Sequence, residues 1–463
     1  MRLVENCDED GPALTTSSRD IAFRVLEEHR ETSALVSELL ENFSGETKRD
    51  NLRLASEIVH STIRRRATLD AILAAHVNRP ADQVERGLWT LLRIGVCQIV
   101  LLETPMHAAV HETVETARRC GNPRWTGFLN GTLRAIARTA DREQGESDKP
   151  GRNCVPLTNG RYRLLNRDVF PDPETNLKDY IATAHSFPEW MVDRWLSRMT
   201  KQEVMNAANW FNASPRLTLR ANTLVTTPDE LIDALDKHGI NAEAGTIANS
   251  VRLSKRYAIT GLPGFDDGWF AVQDESAMAA SLLLAPKHGE RVLDLCAGSG
   301  SKTCHLAAIM QNEGTIVAVD TSERRLERLQ NNTQRLGISI VEGWVDDGTT
   351  LEHIEGTFDA ALVDVPCSNT GVLAKRAEVR WRLSPEELPE LVQLQLKLLT
   401  AAFEKLKSGG RLVYSTCSCE PDENELLLRA FVELHPDATL EADQHHAPGQ
   451  PGDGAYQGLL RKS

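Results

Sequence analysis

Two cysteines carry the residue types and spacing most suggestive of chemistry, Cys367 in DVPCSNTG and Cys417 in YSTCSC, fifty residues apart. Each follows an apolar, strand-like run, DAALVD and RLVYST, and each has Ser or Thr beside it. A lone cysteine is most often a small buried hydrophobe. Two of them, each just past a strand, point instead to thiol chemistry, because a thiolate is a strong nucleophile that also leaves readily. Cys419 lies two residues past Cys417, on the opposite face if the segment is extended. It reads as a bystander.

A third motif lies upstream. The strand-like RVLDLC runs into Cys296, Ala297, Gly298, Ser299, Gly300, Ser301 and Lys302, and then into a helix. Small residues at such a turn let backbone amides approach a ligand at a helix N-terminus. A phosphate-binding P-loop would need Gly at Cys296 and at Ser301, so that reading fails twice. A dinucleotide GxGxxG fingerprint would need Gly at Thr303 and is incomplete. A methyl donor carries no pyrophosphate and tolerates the shorter turn; a tight turn with no ligand stays open. Asp320 ends the next strand-like run, 26 residues after Asp294, where a carboxylate can accept both hydroxyls of a ribose. Asp346 follows SIVEGWV and is placed either to reach an adenine amino group or to sit in water beside Asp347.

These residues need a scaffold. The last 200 residues alternate strands (RVLDLC, TIVAVD, DAALVD, RLVYSTC) with helices, which predicts an α/β doubly wound parallel sheet. In such a sheet the carboxyl ends of the strands face the ligand crevice. Upstream, residues Ser17 to Ala140 repeat apolar positions every three or four residues and predict a helical bundle, broken at Gly121-Asn122-Pro123. The polar run DREQGESDKPGRN (141–153) reads as a linker. Between them, PRLTLRANTL and VRLSKRYAI read as strands flanking the helix PDELIDALDKHG, a small α+β module.

Composition bounds the function. Hydrophobic content of 41% and charged content of 25% are ordinary for a soluble globular protein, and no apolar run approaches the roughly 18 residues of a membrane span. The acidic start, MRLVENCDEDGP, lacks an apolar signal region. A cytoplasmic, reducing setting is therefore the expectation, with no membrane partner and the nine cysteines unbridged. No metal site is expected, since no pair of cysteines shows zinc-ligand spacing. The net charge of −14 argues against nucleic acid, whose phosphates need Lys and Arg. Residues 1–140, however, carry 18 basic against 19 acidic side chains, with clusters at Arg64-Arg65-Arg66 and at Arg118, Arg119 and Arg124. Solvated helix faces explain any one cluster equally well. A nicotinamide oxidoreductase and a non-enzymatic RNA-binding factor remain rival readings; the second leaves the loop and both cysteine motifs without a use.

The cysteine motifs together resemble the Sun/NOP2/NSUN family of RNA 5-methylcytosine methyltransferases. The resemblance spans nearly the whole chain. RLASEIVHSTIRRRATLDAIL, LLRIGVCQIVLLETPMHAAVHETVE and FLNGTLR are similar to the helical domain, itself like the antitermination factor NusB, that members carry. It implies a multidomain protein: an all-α NusB-like RNA-binding bundle (14–140), a linker (141–165), a small α+β RNA-binding module (166–265) and a Rossmann-like class I methyltransferase domain (266–463). It implies S-adenosyl-L-methionine as cofactor, small-subunit (16S) ribosomal RNA as partner and a monomer. By the same resemblance Cys296 to Lys302 would form the donor loop, Asp320 would hold the ribose, Asp346 the adenine side and Asp364 the pocket nearest the methyl. Cys417 would be the nucleophile that adds to carbon 6 of cytosine, and Cys367 would assist its release. The family's loop usually reads CAAPGGK and this one CAGSGSK, so the lost Pro and Gly bear on its rigidity.

Overall fold

The computed structural model describes residues 17–463 except 33, 46, 121, 141–144 and 451. The acidic N-terminal run, the first residues of the expected bundle, Gly121 and the first four linker residues lie outside the described residues. The chain forms two compact units, 1–213 and 214–463. No helix among the described residues is long and apolar enough to cross a membrane.

In the first unit, helices α1 (Ser18–Thr32), α2 (Val36–Glu41), α3 (Arg49–Arg64), α4 (Arg66–Ala74), α5 (Arg86–Val100), α6 (Met106–Arg119) and α7 (Thr126–Thr139) form the expected bundle. Helix α5 is buried on nearly every side, including Leu91, Leu92, Ile94 and Val96, as a central helix must be. The expected linker is not a bare connection. Residues 146–164 carry a three-stranded antiparallel sheet of β1 (Glu146–Ser147), β2 (Cys154–Pro156) and β3 (Tyr162–Leu164), because Val155 and Tyr162 are apolar enough to be buried. Helices α8 (Leu177–Ala184), α9 (Glu189–Leu196) and α10 (Lys201–Asn212) complete this unit.

Several members of the basic clusters are buried or paired. Arg65 is buried and donates to the carbonyls of Pro156 (2.7 Å) and Ala184 (3.0 Å), and burial pushes its pKa down to about 10. Arg119 pairs with Asp20 at 2.8 Å, and Arg118 pairs with Glu115.

The second unit begins with a four-stranded antiparallel sheet in the order β5-β6-β4-β7. Its strands are β4 (Leu217–Ala221), β5 (Ala242–Ala244), β6 (Ser250–Leu253) and β7 (Phe270–Val272), with α11 (Pro228–Lys237) packed on them through Leu231 and Leu235. A Thr227/Glu230 capping box with Pro228 behind it starts α11. The boundary between units thus falls inside the stretch read as one module, since α8–α10 pack with the first unit and this sheet with the second.

The remaining elements are α12 (Glu275–Leu284), β8 (Arg291–Leu295), α13 (Ser301–Ile309), β9 (Thr315–Asp320), α14 (Glu323–Arg335), β10 (Val341–Val345), β11 (Phe358–Asp364), α15 (Val379–Arg382), α16 (Leu388–Glu404), β12 (Leu406–Thr416), α17 (Glu425–Leu434), β13 (Ala438–His446) and β14 (Ala455–Lys462). Their sheet runs β10-β9-β8-β11-β12-β14-β13. The first five strands in that order are parallel, as expected, but β14 is antiparallel to both β12 and β13. The sheet is therefore mixed, because the chain returns through a β13–β14 hairpin rather than a crossover helix. Leu293, Val317, Ala361 and Val363 face one core and Val292, Ile316, Ala360 and Leu362 the other, so both faces are covered. Strand order reverses between β8 and β11, which opens a crevice at their carboxyl ends.

Candidate active site

The loop after β8 owes its shape to backbone that few residues adopt. Cys296, Gly298 and Gly300 have φ of 64°, 58° and 83°. At Gly300 a side chain would also strike Leu329, 2.7 Å away, so this glycine is required twice. Ser301, where the related motif has Gly, is already the first residue of α13 and has no positive φ. The change from Gly to Ser at 301 therefore needs no special backbone. Gly298 donates its amide to Asp320 Oδ2 (2.9 Å), and Ser322 donates to Oδ1 (2.9 Å), which fixes the Asp320 carboxylate against the loop. Asp346 is half-buried at the end of β10; its amide donates to the Asp320 carbonyl (3.2 Å) and its Oδ1 accepts from Gly348 (2.7 Å).

At the start of α13, Lys302 reaches across to Asp364 at the end of β11, with Nζ 2.7 Å from Oδ2. Burial works against the ammonium, yet the Asp364 carboxylate outweighs it and holds the Lys302 pKa above its ordinary value. Below the loop, Asp294 is fully buried and accepts from Thr303 Oγ1 (2.5 Å), while its Oδ1 has no partner among the described residues. Burial raises its pKa to about 7. Burial likewise pushes the Cys296 thiol far up, away from the thiolate form that a nucleophile needs.

The two cysteines meet. Asp364 of β11 lies opposite Ser415 of β12, and this register carries Cys367 and Cys417 past the strand ends to a sulfur–sulfur distance of 3.3 Å. Cys367 is buried and Cys417 partly exposed. The pair shares its protons unequally: hydrogen bonding from the Cys367 thiol lowers the Cys417 pKa, against burial and the nearby Asp364 carboxylate and with help from Arg376 and Lys302, and the same contact raises that of Cys367. Asn369 stands beside them with Oδ1 3.3 Å from the Cys417 sulfur, and Arg376 Nη1 donates to that oxygen (2.9 Å). The loops are held by backbone bonds from Gly371 to the Cys417 carbonyl and from Gly454 to the Gly371 carbonyl, each 2.9 Å. Cys419, apart from the sulfur pair, donates its amide to Thr370 Oγ1 (2.9 Å).

Comparison with known proteins decides the family. Residues 281–457 match the 16S rRNA methyltransferase RsmB/F family, 16–138 the NusB family and 187–260 the ferredoxin-like domain of RsmF/B-like methyltransferases. The chain is 32% identical over 429 residues to the probable ribosomal RNA small subunit methyltransferase B of Bacillus subtilis, covering 91% of this chain and 89% of that one. The chain belongs to the ribosomal RNA small subunit methyltransferase B family. The Escherichia coli member (strain E24377A) is 32% identical over 454 residues, 96% of this chain and 98% of its own. Among solved structures, that of PH0851 is similar with a TM-score of 0.75 at 25% identity, over 97% of this chain and 100% of that one. A methyltransferase homologue from Pyrococcus horikoshii gives 0.56 at 26% identity, over 63% and 100%.

Membership makes the protein a methyltransferase with a NusB-like helical domain, a ferredoxin-like module and a Rossmann-like domain, as the motifs implied, and removes the oxidoreductase reading. Cys296 to Lys302, Asp320, Asp346, Asp364, Cys367 and Cys417 all gather at the carboxyl ends of β8 to β12. Sequence reasoning missed Asp294, which it used only as a ruler to Asp320. It also missed Asn369 and Arg376, although both follow Cys367 within nine residues.

Proposed function

We propose that this methyltransferase acts on carbon 5 of a cytosine in small-subunit (16S) ribosomal RNA, with S-adenosylmethionine as methyl donor. The observation that carries the reading is the pair of thiols 3.3 Å apart at the ends of β11 and β12, beside the Lys302–Asp364 pair. The positive-φ loop fits a nucleoside ligand: a Cβ on Gly298 would meet nothing within 4 Å, so its face is open. Residues 296–302, Asp320, Asp346 and Asp364 would hold the donor, Asp320 at the ribose and Asp346 on the adenine side. S-Adenosylmethionine supplies an electrophilic methyl group on a sulfonium.

Carbon 5 of cytosine is a poor nucleophile, and Cys417 is the group that changes this. Its sulfur bonds to carbon 6, and the ring's double-bond electrons shift towards carbon 5. Once carbon 5 is methylated, its proton must leave, the ring double bond re-forms and Cys417 departs with the electron pair of the carbon–sulfur bond. Cys367, directly or through a water, takes that proton. Cys417 charge is one of the causes that raise the Cys367 pKa. Bonding of Cys417 to carbon 6 removes that charge and makes Cys367 easier to ionise at the step that needs a base. Asp364, hydrogen-bonded to the N3 and N4 edge of the base, would stabilise the charge that develops there.

The 14–140 domain serves RNA binding in this reading. Between α6 and α7 lies a groove of about 870 Å³, lined by His107, His111, Arg118, Arg134 and Arg138 against the single carboxylate of Glu115. That sign of charge suits phosphates. Two variants test the mechanism with S-adenosylmethionine and 16S RNA. Cys367→Ala is expected to accumulate a protein–RNA adduct that survives denaturant, and Cys417→Ala to give neither adduct nor product. Residual turnover in Cys417→Ala would sink the assignment, and an adduct from it would reverse the two roles.

A further inference from the structure

Beneath the two thiols the protein buries a carboxylate that touches neither of them. Glu423, in the turn between β12 and α17, is fully shielded from solvent. Its Oε1 accepts from the Ser368 amide (2.8 Å) and from Gln395 Nε2 (2.8 Å). Its Oε2 accepts from the Ser368 hydroxyl and from the Ser418 hydroxyl (2.5 Å). Ser368 directly follows Cys367, and Ser418 directly follows Cys417. Gln395 of α16 also donates to the carbonyl of Pro366 (3.0 Å), on the other side of Cys367. One side chain therefore ties both cysteine loops and a helix to a single point.

These four donors are uncharged. A buried carboxylate so held is a costly way to fill space, since an apolar side chain would do it without the desolvation. What it offers instead is two oxygens with directional acceptor sites, able to hold two loops at once. The loops are not otherwise neighbours in sequence: Ser368 and Glu423 are 55 residues apart. We infer that Glu423 is a positioning residue for the release step, fixing the Cys367 loop against the Cys417 loop so that Cys367 reaches the carbon-5 proton of a base bonded to Cys417. The inference rests on the two-cysteine reading proposed above. In the step it governs, that proton passes to the Cys367 sulfur or to water beside it, the ring double bond re-forms and the carbon–sulfur bond to Cys417 breaks. Glu423 itself exchanges no proton and touches no substrate.

Loosening this clamp should then slow release more than attack. Once Cys417 is ionised, attack needs only Cys417, whereas release needs Cys367 at a set distance from the bonded base. In single turnover with S-adenosylmethionine and 16S RNA, Glu423→Gln is expected to form the carbon–sulfur adduct at close to the normal rate. Its release is expected to slow by about 10- to 100-fold, the range imposed by displacements approaching 1 Å. Denaturing gels should therefore show adduct in this variant, less than in Cys367→Ala and more than in the native protein. Ser418→Ala, which removes one donor and leaves Glu423 in place, should show the same effect more weakly and decides the matter if Glu423→Gln does not fold. A merely structural Glu423 would lower attack and release in proportion and give no adduct above the native level, while Cys367→Ala still gave one; that result overturns the inference alone. Absence of adduct from Cys367→Ala itself overturns the two-cysteine reading and this inference with it.

Discussion

Gly371→Ala is the perturbation whose consequence follows most directly from distances. A Cβ at this position would lie 2.1 Å from the Gly454 carbonyl oxygen and 2.8 Å from that of Cys417. Ordinary contact begins at 3.4 Å, so the two backbones must separate by about 1 Å, and neither obstacle is a side chain that can swing aside. That separation breaks the 2.9 Å bonds from Gly371 to Cys417 and from Gly454 to Gly371. Two lost hydrogen bonds at about 1 kcal/mol each, with about 1–3 kcal/mol of overpacking, give about 3–5 kcal/mol. For a unit of this size that lowers Tm by about 6–20 °C. Because the displaced carbonyl belongs to Cys417, methylation should fall by up to about 100-fold. Thermal unfolding and single-turnover methylation of 16S RNA, run on the same preparations, measure both. A variant with native Tm and near-native turnover would refute the claim that these backbone bonds set the sulfur pair.

Other outcomes follow from the same site. Adduct formation should rise with pH as Cys417 ionises and level off below pH 9, the ordinary thiol value, because its pKa is lowered. Cys367→Ala removes the first cause of that lowering, so its limb should move to higher pH; an unmoved limb in stopped-time adduct assays argues against the shared proton. Asp294 has a folded pKa of about 7 against 3.8 for a free carboxyl, so the folded state holds a proton that the unfolded chain has lost between those values. Stability should therefore fall as pH rises from about 4 to about 7, by on the order of 4 kcal/mol, and Asp294→Asn should flatten that slope in denaturant titrations. Arg134→Glu with Arg138→Glu should weaken 16S RNA binding and make the salt dependence of affinity shallower, while binding of S-adenosylmethionine by calorimetry stays native. Unchanged RNA affinity would remove the groove from the binding surface.

What the sequence revealed was local in character. The loop at Cys296–Lys302 and both cysteine motifs each lie within one strand–turn segment, so turn residues and apolar runs sufficed to place them at strand ends. Partners across the sheet were not legible in this way. Lys302 and Asp364 are 62 residues apart, and Ser368 and Glu423 are 55. Their meeting depends on the register of β11 against β8 and β12, which the packing of the whole sheet decides. Burial was equally hidden. Arg65 reads as surface charge because its neighbours Arg64 and Arg66 are also basic, yet its guanidinium closes hydrogen bonds to Pro156 and Ala184 from more than 90 residues away. Asp294 lies in an apolar strand where alternation gives no hint that its carboxyl is dry.

The departures of the loop illustrate the same division from the other side. CAGSGSK lacks a Pro and a Gly of the usual motif, which at the level of letters suggests a weakened donor site. In the fold, the positions that favour glycine are those with positive φ, and Gly298 and Gly300 occupy two of the three while Cys296 takes the third. Ser301 needs only helical backbone, which Ser adopts at little cost as the first residue of α13. The loop therefore keeps its shape through the backbone angles that matter, and the Gly298–Asp320 bond is available to fix it. A Gly298→Ala change, which would restore a letter of the usual motif while forcing an L-residue to φ 58°, should accordingly destabilise the loop by about 1 kcal/mol rather than repair it. Calorimetric titration with S-adenosylmethionine measures the effect, and tighter binding by this variant would show that the motif's letters, not its backbone angles, govern the site.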